Sequence, residues 1–386
     1  MNVPQPLEML SSIPGSASPG IGGLLRQRVE DFLVYELPMY EPGGEGEHLY
    51  LRLRKNGMPH DDLLGLVART CEVSRKSIGF AGMKDARAIT EQTISVHLPG
   101  GGEVRSFGDD RVELIWSDWH RNKLKRGHLA GNRFIIRIRD VDPLKVTQAW
   151  STLQSLARTG VPNAFGPQRF GRRGNNHLLG LFLSKGDFEG AAGVLLEEGA
   201  TGRVESNVRA AIEQGKDARS AIGLVPGHVR RLWNDAMQSA IFNALLHHRL
   251  GSETWNVLLP DDLAYSHRTR RTFMVKSEDL VDPSTMERVS SHELVPTGPM
   301  WGRSMRTPGE TVKTLEERVA NEIDPSLPAS LQEPGAAPGA RRPLVSPLGN
   351  PHSESGVDEH GSYIQVSFEL PPGAYATTVM HAIMGF

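Results

Sequence analysis

The sequence contains a single cysteine, Cys71, among its 386 residues. One cysteine cannot form a disulfide within the chain, and it cannot supply the paired thiolates of a typical zinc site. No run approaches the roughly 18 apolar residues of a transmembrane helix, so a membrane span is excluded. The first ten residues, MNVPQPLEML, lack the basic and apolar regions of a signal peptide. We therefore expect a cytoplasmic protein with no membrane anchor.

Signatures of nucleotide-binding and metal-dependent enzymes are also missing. The glycine-rich stretch SPGIGGLL lacks the lysine and the preceding strand of a phosphate-binding loop. The HEL triplet at 292–294 has no second histidine four residues on, which excludes the zinc site of a zincin. The 14 histidines show no spacing that is typical of metal ligands. The sequence thus predicts no metal site.

The net charge of −2 neither favours nor opposes nucleic-acid binding, because a protein binds RNA through a local basic surface. Positive charge is concentrated in two segments. Between Asp118 and Arg139, seven Lys or Arg residues stand against one acid, and the second segment runs from His267 to Lys276. Either segment could be an ordinary solvated face. Together with the motifs below they favour contact with phosphates, and the candidates in the first segment are Arg121, Lys123, Lys125 and Arg126.

Strands and helices follow each other without a strict alternation, which favours an α+β fold over a doubly wound one. Alternating apolar and polar residues predict strands at 49–54, 93–98, 133–139 and 364–370. Helical spacing of apolar residues predicts helices over 144–158, 229–250 and 375–384. A further helix is expected after residue 62, with Asp61 or Asp62 as its N-cap.

The region from Pro325 to Pro351 contains seven prolines, which predicts a connector or a long surface loop rather than a regular element. The strand and helix that follow are too short to form a core of their own, so they must complete a sheet that is built earlier in the chain. We therefore expect an inserted α+β domain at 167–341, within a catalytic domain formed by 1–166 and 342–386. We expect a monomer.

The segment Gly79–Gln92 places the pair Lys84–Asp85 in a turn of small residues just before a predicted strand. An arbitrary aspartate in such a turn usually caps its own backbone. Here, however, six ordered blocks resemble motifs of the TruD family of tRNA pseudouridine synthases. The blocks lie at 24–34, 41–49, 79–92, 122–134, 162–171 and 370–379. Two positions depart from the family pattern, with Val29 in place of a proline and Ala164 in place of an aromatic residue.

The resemblance implies an isomerase that converts uridine to pseudouridine in tRNA, with uridine 13 as the default target. It implies a mixed, mostly antiparallel sheet with helices, as in pseudouridine synthases, and Asp85 as the catalytic carboxylate. No cofactor is expected, because the base itself supplies the electrons while the carboxylate acts as a nucleophile or a proton acceptor.

The resemblance also assigns roles to residues around Asp85. Arg26 occupies the position of a family lysine and would keep the carboxylate ionised and oriented. Phe134 matches the aromatic residue that stacks on the flipped uracil, and Asn132 would hold the Asp85 loop or contact the base edge. Lys84 is expected to support the structure or to contact RNA phosphate, because adjacent side chains of an extended segment point to opposite faces.

Gln168 and Arg169 are expected to bind the RNA backbone or to hold the domain junction, and a cleft between the domains would take a folded tRNA. Two other functions remain open at this point. A glycosidase needs a second carboxylate at a defined separation from Asp85, and the sequence offers no matched pair. A non-catalytic RNA-binding or chaperone module would have lost the reaction, and the intact Asp85 and Phe134 argue against it.

Overall fold

The computed structural model describes residues 19–104, 106–197, 199–327 and 337–385. Contacts between residues divide the chain into two compact units. The insert unit comprises Thr159–Ser346, and the sheet unit comprises the described residues up to Arg158 together with those from Pro347 onward. The insertion predicted at 167–341 lies within the range of the insert unit.

Fourteen strands and ten helices are named here among the described residues. In chain order the strands are β1 (Phe32–Pro38), β2 (His48–Asn56), β3 (Ile78–Phe80), β4 (Ile89–His97), β5 (Val112–His120), β6 (Leu129–Arg139), β7 (Val161–Pro162), β8 (Leu263–Ser266), β9 (Arg271–Met274), β10 (Leu294–Met300), β11 (Ala340–Pro343), β12 (Val345–Ser346), β13 (Gly349–Asp358) and β14 (Gly361–Leu370). The helices are α1 (His60–Thr70), α2 (Val146–Thr159), α3 (Asn176–Ser184), α4 (Phe188–Leu195), α5 (Arg203–Glu213), α6 (Ala218–Gly223), α7 (Gly227–Gly251), α8 (Pro283–Ser290), α9 (Glu310–Ile323) and α10 (Ala376–Met384).

The sheet unit is built on an eight-stranded mixed sheet with the order β13-β14-β6-β1-β4-β2-β5, in which β3 also pairs with β4. Only β1 and β4 run parallel, and the other pairs of this sheet are antiparallel. The C-terminal strand β14 therefore completes a sheet whose first strand in the chain is β1, as the sequence predicts. Strand β13, which was not predicted, pairs with β14 at the edge of the sheet. The predicted α+β class, with a mostly antiparallel sheet, is confirmed.

Strand register places two of the predicted site residues, Phe134 and Asn132, on one face of this sheet. Phe134 of β6 lies opposite Val34 of β1 and opposite Phe368 of β14. Two residues earlier on β6, Asn132 lies opposite Glu36. Because residues two apart on a strand share a face, these side chains project to the same side of the sheet.

Helix α1 packs against that sheet through the apolar residues Leu63, Leu64 and Val67, which are spaced along one helical face. The predicted N-cap was wrong, because the helix begins after Pro59, which makes no side-chain capping bond. Asp61 and Asp62 instead lie in the first turn of the helix, where their negative charges interact favourably with the positive end of the helix dipole.

The insert unit contains the long helix α7, a four-stranded sheet in the order β11-β10-β8-β9, and the pair β7–β12. Arg249 of α7 forms a fully buried ion pair with Asp262, with Nη1 and Oδ1 2.8 Å apart. Arg341 and Glu316 form a second buried pair, at 2.6 Å. Each of these arginines also donates to main-chain carbonyls, which satisfies the buried charge.

The prediction of an irregular loop from Pro325 to Pro351 was wrong in its second half, where β11, β12 and the start of β13 lie. Strand formation survives the prolines because both affected strands are sheet edges. Pro343 lies on the edge strand β11, and Pro351 lies where the register of the edge strand β13 shifts. Residues 328–336 lie outside the described part of the chain.

The predicted helices at 144–158, 229–250 and 375–384 are confirmed as α2, α7 and α10, and the four predicted strands are confirmed. Within the described residues, no helix is both long enough and apolar enough to cross a membrane.

Candidate active site

Asp85 lies on the loop between β3 and β4, and its side chain is 48% exposed. The Arg26 guanidinium donates from Nη2 to Asp85 Oδ2 across 3.0 Å. The same guanidinium lies over the Phe32 ring, 4.3 Å from its centroid, which holds the cation in place through a cation–π contact. The expected cation beside the Asp85 carboxylate is therefore present, and the pair faces solvent.

The main chain of the Asp85 loop is held by a residue that the sequence analysis missed. Lys55 at the end of β2 is fully buried, and its Nζ donates to the Asp85 carbonyl at 2.6 Å and to the Met58 carbonyl at 2.7 Å. Burial lowers the pKa of the Lys55 ammonium from 10.5 to about 8. The sequence indicates only that Lys55 is buried, because Lys55 continues the alternating leucines of β2, and it does not indicate the contact with the Asp85 loop.

Lys84 holds the same loop from the other side. Its buried ammonium forms an ion pair with Glu36 Oε2 at 3.0 Å and donates to Asn132 Oδ1 at 2.7 Å. These contacts match the first of the two roles predicted for Lys84, support of the structure, because they anchor the segment preceding Asp85. Contact of Lys84 with RNA phosphate stays a prediction.

Asn132 therefore makes a contact that corresponds to the first of its two predicted roles, support of the Asp85 loop. Its Oδ1 is engaged by Lys84, and among the described residues no hydrogen bond from its amide nitrogen is recorded. The Asn132 side chain is half-buried. Contact of that amide with a base edge stays a prediction.

Phe134 lies in a cluster of three aromatic rings that leads toward Arg26. Its centroid lies 6.4 Å from that of Phe32 in an edge-to-face contact, and 5.7 Å from that of Phe368. Because Arg26 lies over Phe32, the aromatic cluster and the Asp85–Arg26 pair share a boundary. Phe134 is 9% exposed, so little of the residue is accessible, whereas Phe368 is fully buried.

Two glycines of the resembling blocks are required by close approach of main-chain atoms. A Cβ at Gly79 would lie 2.2 Å from the carbonyl oxygen of Leu124, and one at Gly131 would lie 2.5 Å from that of Leu370. Gly79 thus lets β3 pack against the turn at 122–127, while Gly131 lets β6 pack against the end of β14. Any side chain at either position would displace strands that carry the site.

Most of the arginines in the basic segment at 118–139 are paired with carboxylates. Arg139 is buried and pairs with Asp31 and Asp358, and Arg133 pairs with Glu369. Arg121 pairs with Glu45, and Lys123 donates to the Lys76 carbonyl. Among the described residues, the structure records no carboxylate partner for the exposed side chains of Lys125 and Arg126. The segment therefore carries less free positive charge than its composition suggests.

Gln168 and Arg169 belong to a short 3-10 helix in the insert unit, Pro167–Phe170. Gln168 is exposed, and the Arg169 guanidinium lies 4.8 Å from the centroid of the Phe165 ring. In the second basic segment, Arg268 has Glu293 as an ionic neighbour and Lys276 has Glu278. Binding of RNA by any of these residues stays a prediction.

Comparison with known proteins covers almost the whole chain. The family model described as tRNA pseudouridine synthase D (TruD) matches residues 15–212 and 200–383. The tRNA pseudouridine synthase D of Syntrophotalea carbinolica is 37% identical over 399 residues, covering 95% of this chain and 97% of that protein. Its counterpart in Thermus thermophilus is 33% identical over 374 residues, covering 95% of this chain and 90% of that protein.

The three-dimensional comparison agrees with the sequence comparison. A crystal structure from Methanosarcina mazei, of a protein assigned to TruD, superposes with a TM-score of 0.79. It is 26% identical in sequence, and the match covers 100% of this chain and 99% of that one. The family model and the two relatives, each more than 30% identical, match most of this chain. This chain therefore belongs to the tRNA pseudouridine synthase D (TruD) family.

Proposed function

We propose that this protein isomerises uridine to pseudouridine in tRNA, at uridine 13, with Asp85 as the catalytic carboxylate and with the target base flipped out of its stack. The activity and the substrate class follow from the family. The position of the target and the roles of the individual residues are our own inference from the sequence resemblance and the geometry of the site.

The observation that carries the proposal is the placement of Asp85. Its carboxylate is exposed on a loop whose main chain is anchored by two buried lysines, Lys55 and Lys84. An anchored loop keeps the reacting group in position, and positioning is a major contribution to catalysis. Arg26 donates a hydrogen bond to this carboxylate across 3.0 Å, which fixes its orientation.

The reaction breaks the bond between C1′ of the ribose and N1 of uracil. The uracil ring then rotates, C1′ joins C5, C5 loses its proton and N1 takes up a proton, so that atoms and electrons balance without a co-reactant. Attack on C1′, attack on C6 and acceptance of a proton all require Asp85 in its ionised form. Phe134 would stack on the extruded uracil and compensate for its lost stacking, and the Asn132 amide would contact the base edge.

Release of tritium from tRNA labelled with [5-³H]uridine tests the proposal. The wild-type protein should release one equivalent from a transcript with uridine at position 13 and none from the same transcript with cytidine there. Sequencing of the product for pseudouridine should identify position 13. Release that persists with cytidine at 13 would overturn the assigned position.

The remaining alternative is an RNA-binding module without catalysis. It would bind the transcript and release no tritium over many hours, whereas the synthase would do both. The measurement therefore separates the two functions on one sample.

A further inference from the structure

A pocket of about 410 Å³ opens in the sheet unit, close to the loop that carries Asp85. Its walls are formed by Tyr40, Glu41, His120, Asn122, Lys123, Lys125 and His128. These residues come from two segments, the chain after β1 and the end of β5 together with its connection to β6. None of them has a role in the mechanism above.

The connection from β5 to β6, which forms part of the pocket, contacts the start of the loop that carries Asp85. The Gly127 amide, in the β5–β6 connection, donates to the Ala81 carbonyl of the Asp85 loop at 2.8 Å. A smaller cavity is lined by Glu36, the partner of Lys84, and shares Tyr40, Glu41 and His128 with the larger pocket. A ligand in the larger pocket would therefore lie next to the elements that hold Asp85.

One wall of the pocket is a fixed aromatic surface. The rings of Tyr40 and His120 are stacked, with centroids 5.3 Å apart and an interplanar angle of 27°. The Tyr40 hydroxyl is 2.9 Å from His128 Nδ1 and 3.3 Å from the Tyr50 hydroxyl. The buried Tyr50 in turn donates to the Asn122 carbonyl at 2.9 Å, and burial raises the pKa of its hydroxyl, which stays protonated. The wall is thus held in place without a ligand.

The rim of the pocket carries positive charge. Lys125 is exposed, and the structure records no carboxylate partner for it within the described residues. Lys123 is half-buried, with its ammonium donating to the Lys76 carbonyl. The one acid in the lining is Glu41, which is exposed and can accept hydrogen bonds from a base amino or imino group.

An aromatic wall beside exposed lysines has the chemistry of a nucleotide site. Aromatic rings bind any of the four bases by stacking, and lysines bind the phosphate as point charges. The volume and the ordered wall distinguish this pocket from a merely basic surface. Because the connection that forms part of the pocket contacts the Asp85 loop at Ala81, such a nucleotide would belong to the same RNA as the target uridine.

We propose that the pocket binds a second nucleotide of the substrate tRNA, one that lies close to the target uridine along the RNA chain. Its base would stack on Tyr40, and its phosphate would contact Lys125. This inference rests on the proposed function. It adds to that function that the enzyme would hold two unstacked nucleotides at once.

Binding of modified tRNAs by the Asp85→Asn protein tests this proposal without requiring turnover. A set of tRNAs would each lack the base at one position flanking the target. One such tRNA should bind the Asp85→Asn protein roughly tenfold more weakly than intact tRNA. Adding Tyr40→Leu should weaken binding of intact tRNA by a similar factor and abolish the effect of that missing base. Adding Tyr40→Phe, which keeps the ring, should leave the effect in place.

For each tRNA that lacks a base, the loss of affinity relative to intact tRNA is compared between Asp85→Asn and the double variant with Tyr40→Leu. The proposal is overturned if this loss is the same in both proteins for every such tRNA. It is also overturned if adenosine or uridine 5′-monophosphate alone binds in a Tyr40-dependent way and displaces no tRNA, because the pocket would then be a site for free nucleotides.

Lys125→Ala should lower the slope of log affinity for tRNA against log salt concentration by about one, the value for one phosphate contact. An unchanged salt slope would overturn the phosphate contact.

Failure of this proposal can be told apart from failure of the proposed function. Absence of tritium release by the wild-type protein would refute the isomerase activity, whereas the comparison of missing bases depends on binding alone. Circular dichroism and urea unfolding of each Tyr40 variant establish that it is folded, so a loss of affinity reports on the pocket.

Discussion

The buried ammonium of Lys55 lies 2.6 Å from the main-chain carbonyl oxygen of Asp85. This contact ties the loop that carries the proposed catalytic carboxylate to the end of β2. Lys84 provides a second anchor through Glu36 and Asn132. The exposed carboxylate is thus supported by two buried cations that do not contact its own oxygens.

Lys55→Met should reduce kcat for pseudouridine formation by roughly ten- to a hundredfold, because loss of the bond to the Asp85 carbonyl lets the reacting group move. Affinity for tRNA should change little, since Lys55 is buried. Lys145→Met is a matched control, because Lys145 also donates to a main-chain carbonyl, that of Ile21. If the two variants lose kcat equally, Lys55 has no particular role in positioning Asp85.

The depressed pKa of Lys55 predicts a pH dependence of stability. Between about pH 8 and 10.5 the folded state has released the Lys55 proton while the unfolded state retains it. Stability therefore rises with pH in this window, by about 3 kcal/mol in total for this group. Urea unfolding should show that, between pH 7.5 and pH 10.5, the free energy of unfolding of the wild type rises by that amount relative to that of Lys55→Met. A constant difference would mean that the proton is not released on folding.

Lys84→Met should lower the free energy of unfolding by about 3–5 kcal/mol, because it leaves the carboxylate of Glu36 buried without its cation. Glu36→Gln in the same chain should restore much of the loss, since glutamine removes the charge and can still accept from the Thr93 amide. Chemical denaturation of the single and double variants measures both values. A double variant less stable than Lys84→Met would contradict the ion-pair interpretation.

Arg26→Gln should lower kcat/KM by roughly tenfold, because the Asp85 carboxylate loses the cation that orients it. Stability should fall by less than about 1 kcal/mol, since the ion pair is exposed and screened by solvent. Arg26→Lys retains the charge and should keep most of the activity. Equal activities of the glutamine and lysine variants would show that the charge has no role.

Phe134→Leu should weaken binding of tRNA and lower kcat/KM, because the proposed stacking of the flipped uracil requires the Phe134 ring. Phe368→Leu is the matched control, since it removes a neighbouring ring that is fully buried. Both variants should lose about 1–3 kcal/mol of stability from the same cluster. Equal effects on kcat/KM would mean that Phe134 is a packing residue only.

Strand and helix positions could be predicted from the sequence wherever the apolar period was strong, as in β14 and α7. Prediction failed where tertiary pairing decides the outcome. Pro343 and Pro351 reduce the tendency to form strands, yet their segments pair as sheet edges, which a local pattern cannot reveal. The cap of α1 was missed because the two acids after Pro59 already lie within the helix.

The candidate site could be predicted at Asp85 and Arg26 because linear motifs mark both residues. Lys55 could not be placed there, since it is 30 residues from Asp85 in the chain and only the pairing of β2 with β4 brings it to the loop. The partner of Lys84 was hidden for the same reason, because Glu36 reaches it through the register of β1 and β6. Contacts between distant residues require the register, and the register requires the fold.

The most direct test of the account is single-turnover release of tritium from [5-³H]uridine tRNA by wild type, Asp85→Asn and Asp109→Asn. Asp109 is a matched control, because it is also paired with an arginine, Arg111, outside the candidate site. We predict that Asp85→Asn binds tRNA but releases tritium on the order of a thousandfold more slowly, while Asp109→Asn equals wild type. Release by Asp85→Asn at the wild-type rate would contradict the assignment of the catalytic carboxylate.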